Sequence, residues 1–181
     1  PDLTERITDL LRQLGIPHSR FEVRISALAE PAGTGLDKVD FMFSANSQVP
    51  PEELSKVASG GELSRVMLSL KSVLAKTSGL PAIVFDEIDS GVSGEVASMV
   101  GTILSGMAVS MQVINITHLP QVASRGNFHY HVYKEDEQNT TRTRIKLLNK
   151  EERLLELARL LSGSTITEAA MKNAKELLNN N

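Results

Sequence analysis

The sequence contains no cysteine and no tryptophan. Thiol nucleophiles, Cys-ligated zinc and redox switching are therefore excluded. Aromatic residues make up 4%, five Phe and two Tyr, too few for a surface that stacks nucleobases on rings. Positive charge is not in excess either: 19 Lys and Arg against 22 Asp and Glu give −3, which argues against a bulk electrostatic nucleic-acid binder and leaves only a local basic patch. A membrane span needs about 20 apolar residues in a row, and none is present. The uncharged stretch from Val96 to Ser124 is interrupted by Ser98, Gly101, Thr102, Ser105, Gly106, Ser110, Gln112 and Asn115, so it reads as buried structure. No secretory signal is visible, because Pro1–Gly15 carries Asp2, Glu5, Arg6, Asp9 and Arg12. The expectation is a cytoplasmic protein. An opening Pro in place of Met suggests a processed product or a fragment.

What remains is an ordinary globular composition: 181 residues, 41% hydrophobic and 23% charged. That length suits one domain. Asp2–Gly15 has apolar Leu3, Ile7, Leu10, Leu11 and Leu14 at helical spacing, with Asp2 and Glu5 as a capping box. Residues 21–25 and 39–43 alternate like strands around a Gly33-Thr34-Gly35 turn and should pair antiparallel. From Glu62 to about Lys76 the spacing of Leu63, Val66, Met67, Leu70, Val73 and Leu74 predicts an amphipathic helix, stopped by Gly79 and Pro81.

The uninterrupted apolar run Ala82-Ile83-Val84-Phe85 predicts a strand buried on both faces. A helix capped by Ser93 and a second strand, Met111–Thr117, complete a βαβ unit with parallel strands. The carboxyl ends of parallel strands share one edge, where open α/β sheets bind ligands. Asp86, Glu87 and His118 lie just past those ends. After them, residues 127–133 and 141–148 predict a second hairpin, and Glu151–Leu161 and Thr165–Leu178 two closing helices.

Ser59-Gly60-Gly61-Glu62 opens the first strong helix. As Ser-x-x-Glu it is a capping box, a reading that leaves the two glycines unexplained, since each costs up to about 1 kcal/mol within a helix. Glycines there let a bulky anion approach exposed backbone N–H groups. Cap and phosphate site both stand at this point. The adjacent acids Asp86 and Glu87 have a bland reading as a core strand ending in solvated carboxylates. Their chemical reading divides the labour: Asp86 holds hydrated Mg²⁺, and Glu87 orients and deprotonates a water attacking a terminal phosphate. A lone His is more often structural than catalytic. At the edge shared with Asp86 and Glu87, His118 is placed to reach the phosphate or the water.

In this order the segments resemble the second half of an ABC-type ATPase head. Ser59–Glu62 matches the signature motif, Ile83-Val84-Phe85-Asp86-Glu87 the Walker B strand with its catalytic Glu, Asp89-Ser90-Gly91 the D-loop, and Thr117-His118 the switch histidine. The flanking residues resemble the RecN family of SMC-like bacterial DNA repair proteins. The matching stretches are residues 57–65, residues 85–94, Thr117-His118-Leu119-Pro120-Gln121-Val122-Ala123, residues 157–163 and residues 173–178. Glu62, where transporters carry Gln, and Ala58, where the wider family carries Leu, fit the same pattern.

The resemblance implies an α/β fold, the C-terminal lobe of an ABC-ATPase head. Its mainly parallel sheet would be flanked by helices, with antiparallel hairpins, and residues 1–16 would be the possible end of a coiled-coil arm. It implies ATP and Mg²⁺ as cofactors, with two heads sandwiching two ATP. Ser59, Gly60, Gly61 and Glu62 would contact the ATP of the partner head. Asp86 (metal), Glu87 and His118 (catalytic) would act on the head's own ATP, and Asp89 would lie at the head–head interface. Partners would be the amino-terminal half of the same protein, a second head and, through the whole protein, DNA during recombinational repair of double-strand breaks. The rivals are a head from another SMC-like or ABC ATPase and a non-hydrolytic assembly module.

One family element is missing. No Gly-x-x-x-x-Gly-Lys-Ser/Thr occurs, and there is no Gly-Lys dipeptide at all, so the expectation is that the isolated chain neither binds ATP tightly nor hydrolyses it. Two weaker patterns remain. His129 and His131 alternate on a strand, a spacing two metal ligands could use, with a solvent-facing hairpin the preferred reading. Arg142, Arg144 and Lys146 share a strand face and could touch DNA phosphates, although a solvated face is the simpler reading.

Overall fold

A computed structural model describes residues 3–33, 35–57, 59–75, 79–137, 140–163 and 165–179. Asp2, Thr34, Ala58 and Lys76, on which expectations above fall, lie outside these. The chain divides into two compact units, Pro1–Ile116 and Thr117–Asn181.

The first unit begins with helix α1 (Leu3–Gln13). Gly15, at φ +81°, ends it: Ile16 N–H reaches back to Leu11 O at 2.9 Å, closing the last turn through a left-handed residue. A Cβ at Gly15 would stand 3.0 Å from a methyl of Val96, so glycine is required here by backbone and neighbour alike. Strands β1 (Arg20–Ala32) and β2 (Gly35–Ser44) pair antiparallel with Phe21 opposite Phe43 and Ile25 opposite Val39, as the alternation predicts. A two-residue strand β3 (Glu52–Glu53) adds to β2, and a short 3₁₀ turn (Leu54–Lys56) follows.

Helix α2 (Gly60–Ala75) starts at the paired glycines, two residues before the expected Glu62. Its buried set is wider than one stripe. Val66, Leu70 and Val73 pack with Ile7, Leu11, Phe21 and Phe43, while Leu68 and Ser69 are fully buried and the expected core residue Leu74 is exposed. The helix is contacted on two sides, by α1 and by α3, which a single-stripe pattern does not anticipate.

Strand β4 (Ala82–Asp86), helix α3 (Gly94–Met107) and strand β5 (Gln112–Ile116) form the expected βαβ unit, with β4 and β5 parallel and Ala82 through Asp86 opposite Gln112 through Ile116. Ser93 takes the N-cap position of α3 without a side-chain cap bond. The expectation that β4 is buried on both faces is corrected: Phe85 is buried, but Val84 is 61% exposed. Among the described residues β5 is the only strand paired with β4, and Ile114 and Ile116 are exposed as well.

The second unit opens with a helical turn α4 (Pro120–Ala123), which the sequence reading had not marked. Strands β6 (Tyr130–Glu137) and β7 (Thr140–Leu147) form the expected hairpin, pairing Tyr130 with Leu147 and Val132 with Ile145. Helix α5 (Lys150–Ser162) carries a complete capping box: Asn149 accepts from Glu152 N–H, and Glu152 accepts from Asn149 N–H. Helix α6 (Glu168–Asn179) packs on it through Leu157, Ala158, Ala170 and Ala174. Arg153 ties α5 to the loop after α4 by donating to Ser124 O and Gly126 O. Among the described residues no helix is long and apolar enough to cross a membrane.

The apolar face of β1–β2 runs from buried Phe21 to Ile25, which is 68% exposed, and this gradient sets the energetics. Phe21→Ala is expected to lower unfolding free energy by about 3–5 kcal/mol and Ile25→Thr by no more than about 0.5 kcal/mol. Urea denaturation of the two variants checks this.

Candidate active site

Asp86 ends β4 and is exposed. Glu87, the next residue, sits at φ +48°, the only non-glycine residue with positive φ among those described. A left-handed Glu costs on the order of 1–2 kcal/mol. Two main-chain bonds hold it there: Glu87 N–H donates to Ile116 O at 3.1 Å, and Glu87 O accepts from Ser90 N–H at 3.0 Å. The first extends the β4–β5 ladder beyond the last paired residues, Asp86 and Ile116. Both adjacent carboxylates therefore stand in solvent at the carboxyl edge of the parallel pair, as the topology predicts.

The chain then turns through Asp89, fully buried, to Gly91 at φ +76°. Because the Asp89 carboxylate is inside the unit, this turn presents main chain to its neighbour. That neighbour is the start of α2: a Cβ on Gly61 would lie 3.4 Å from Ser90 O and 4.0 Å from Gly91 Cα. The structure thus brings Gly61 of the signature segment together with the turn that carries Glu87 and Asp89. His118 belongs to the second unit, exposed, two residues past the end of β5. In its loop, Leu119 N–H donates to Thr117 Oγ1 at 2.9 Å.

The cap reading of Ser59 is realised only in part. Leu63 N–H donates to Ser59 O at 3.0 Å and Glu62 N–H to Ser59 Oγ at a long 3.4 Å; among the described residues the Glu62 carboxylate makes no return bond. Neither glycine is demanded by the fold. Both are helical with ordinary φ, Gly60 has nothing within 4 Å of a Cβ position, and Gly61 would take a Cβ at normal contact distance. A bare, exposed helix start suits the close approach of an anion or another molecule.

For Mg²⁺ the donor chemistry fits: the ion takes one or two carboxylates and completes its shell with water and phosphate, and Asp86 offers an exposed carboxylate beside a second acid. Among the described residues no group of three His, Asp or Glu could hold a metal by itself, and the weak His129/His131 pattern is no exception. Instead His131 Nδ1 stands 3.3 Å from Glu156. The basic face of β7 is also balanced internally. Arg144 pairs with Glu135 at 2.9 Å and Lys146 with Glu152.

The sequence reading includes Arg65 in the matching stretch 57–65 and gives it no role of its own. It lies four residues after Gly61, a spacing that puts both on one helix face, and its Nη1 is 3.5 Å from the Gly61 Cβ position.

Two expectations follow. Gly60→Ala should leave the fold as stable or raise stability by up to about 1 kcal/mol, which thermal melts check. His129 has its pKa below the ordinary 6.5, chiefly through burial and then through nearby Arg153, against the opposing pull of Glu156. The unfolded chain therefore protonates first as pH falls, and stability present near neutrality declines below about pH 6.5. His129→Gln should flatten that part of the profile, measured by urea unfolding across the pH range.

No protein-family profile matches the chain. Individual relatives do. DNA repair protein RecN of Deinococcus radiodurans is 48% identical over 176 residues, 97% of this chain and 31% of the relative. RecN of Rickettsia bellii is 46% identical over 97% of this chain and 32% of its own length, and RecN of Haemophilus influenzae 40% identical over the same shares. The chain spans about a third of the length of these curated relatives. Among solved structures, the Smc head domain with coiled coil and joint from Pyrococcus yayanosii superposes with TM-score 0.62 at 16% identity, covering 96% of this chain and 28% of that one. A structure from work on ATP-driven dimerization and DNA-stimulated activation of SMC ATPases gives TM-score 0.57 at 15% identity, covering 90% of this chain and 93% of that one. Over 97% of its length, then, the chain is a RecN-like sequence, and it carries the α/β fold of the SMC/ABC ATPase head.

Proposed function

We propose that the chain is the C-terminal lobe of an ATPase head in a RecN-like protein acting in recombinational DNA double-strand break repair, in the cytoplasm at the nucleoid. The observation that carries this reading is the contact of Gly61 with Ser90 and Gly91, which unites the exposed helix start with the Asp86–Glu87 edge. Two heads close on two ATP molecules. Mg²⁺, when bound, screens the phosphate charge, and Asp86 is the residue that would hold it. Glu87 accepts the proton of the attacking water, a role for which its held backbone fixes the carboxylate's origin. His118 donates a hydrogen bond toward the phosphate or the water. Ser59, Gly60, Gly61 and Glu62 cap the terminal phosphate of the nucleotide held by the partner head, the N-terminus of α2 favouring its negative charge. Asp89 shapes the turn at the head–head contact from inside the unit.

The phosphate-cradling loop with its Gly-Lys-Ser/Thr is not among these residues. Turnover therefore requires the amino-terminal half of the same protein, joined to this lobe in the family through a coiled-coil arm that residues 1–16 would end. Closure by ATP and reopening by hydrolysis would change how the whole protein engages DNA.

Co-expression with that half tests the reading. The pair should hydrolyse ATP and this chain alone should not. Glu87→Gln should lower turnover by about 10²–10⁴-fold while ATP-driven pairing is retained. A wild-type pair without ATPase, or a Glu87→Gln pair as fast as wild type, removes the catalytic assignment.

A further inference from the structure

Resting on the reading above, we propose that Arg65 is a further phosphate-binding residue of the signature face, reaching the terminal phosphate held by the opposing head. Its guanidinium is carried one turn into α2, with Nη1 3.5 Å from the Cβ position of Gly61. That point also lies 3.4 Å from Ser90 O, so the cation stands over the seam between the helix start and the turn after β4. The side chain is half-buried, and its Nε is shut off from solvent with no acceptor. Among the described residues no carboxylate or carbonyl receives any hydrogen bond or ion pair from this guanidinium.

The contrast with another half-buried arginine is direct. Arg153, also of restricted access, spends its Nη2 on Ser124 O and Gly126 O. Arginines nearer the surface, such as Arg12, Arg24 and Arg144, pair with carboxylates. Arg65 alone among these stands over a bare glycine start without a counter-charge. A guanidinium cannot shed its proton, so it cannot relieve burial by neutralising itself. An anion arriving at Gly60 and Gly61 would supply the missing acceptor, and a phosphate presents oxygens in the geometry a guanidinium fork matches. Gly61 matters doubly here, because any side chain longer than a methyl would occupy the space in which Nη1 lies. A protein carboxylate from the facing head is the competing counter-charge, and its signature differs.

The test uses the full-length RecN-like protein containing this chain, with ATP-driven pairing followed by light scattering across an ATP titration. Glu87→Gln is the control for the underlying reading: turnover lost, pairing kept. Arg65→Ala should shift the ATP midpoint for pairing upward by at least about tenfold. Binding of ATP to dilute, unpaired protein should stay at the wild-type value, because Arg65 acts across the interface. Arg65→Lys, which keeps charge but not the fork, should fall between the two. Pairing at the wild-type ATP midpoint in Arg65→Ala overturns the inference while leaving the Glu87 assignment intact. An unchanged midpoint with a lowered plateau overturns it in favour of a carboxylate on the facing protein. If Arg65→Ala does not fold, Arg65→Gln decides on the same midpoint: a tenfold shift supports the phosphate contact, and none refutes it.

Discussion

A single main-chain hydrogen bond, Glu87 N–H to Ile116 O, governs the geometry of the acidic edge. Parallel pairing alone would bring β4 and β5 to a common end, with Asp86 opposite Ile116. The extra bond carries the ladder one residue past the strand. It obliges the backbone to turn in the left-handed region at a residue with a bulky side chain, and the next turn brings Ser90 and Gly91 against Gly61. Removing that bond would free the position of both carboxylates and of the seam with α2 together. Strand pairing, strained carboxylate and helix start are therefore one mechanical assembly, in which a local hydrogen bond sets the relation of groups 26 residues apart in sequence, Gly61 and Glu87.

That assembly is stabilised from elsewhere. Left-handed Glu87 works against folding by about 1–2 kcal/mol and each of the two helical glycines by up to about 1 kcal/mol. The offset comes from the α1–α2 core, where Ile7, Leu11 and Val66 are wholly buried, and from the Phe21–Phe43 pair beneath them. Locally unfavourable residues concentrated at one edge of an otherwise well-packed unit are what a site under functional constraint looks like. Gly15 provides the internal comparison. It too has a left-handed backbone, and Val96 crowds it, so its identity follows from backbone and packing together, whereas nothing in the fold crowds Gly60.

The βαβ unit and both hairpins were legible because their signals are local: apolar runs of strand length, alternation, and turn residues between them. So was the gathering of Asp86 and Glu87 at a strand end. The openness of β4 was not legible, since Ala82–Phe85 has the same composition whether one face or two is covered. The buried arc of α2 was misjudged at Leu68, Ser69 and Leu74 because two neighbours contact the helix, a tertiary fact that a single periodicity does not encode. Arg65 lay in the matching stretch 57–65 without a role, although its i+4 spacing from Gly61 was readable; what gives it meaning is the absence of a partner among the described residues, and that exists only in three dimensions. The cap of α5 was missed for a simpler reason. Asn149-x-x-Glu152 is a plain capping signal that lay between a strand and a helix already assigned.

Charge distribution separates the two anion-facing surfaces the sequence raised. On β7, Arg144 and Lys146 face carboxylates at contact distance, Glu135 across the hairpin and Glu152 at the start of α5. A DNA phosphate binding there must displace a carboxylate at each position, and the net gain from exchanging one anion for another in solvent is small. At the start of α2 the balance is reversed. Arg65, the open N–H groups of the first turn and the helix dipole are the anion-attracting groups there, and among the described residues Arg65 has no ion pair to be broken first. Since the chain as a whole carries −3, its attraction for polyanions is confined to places where the local sign is inverted. The β7 face is not such a place, because its cations already face carboxylates, whereas at the α2 start the Arg65 guanidinium and the first-turn N–H groups are donors that no carboxylate among the described residues occupies.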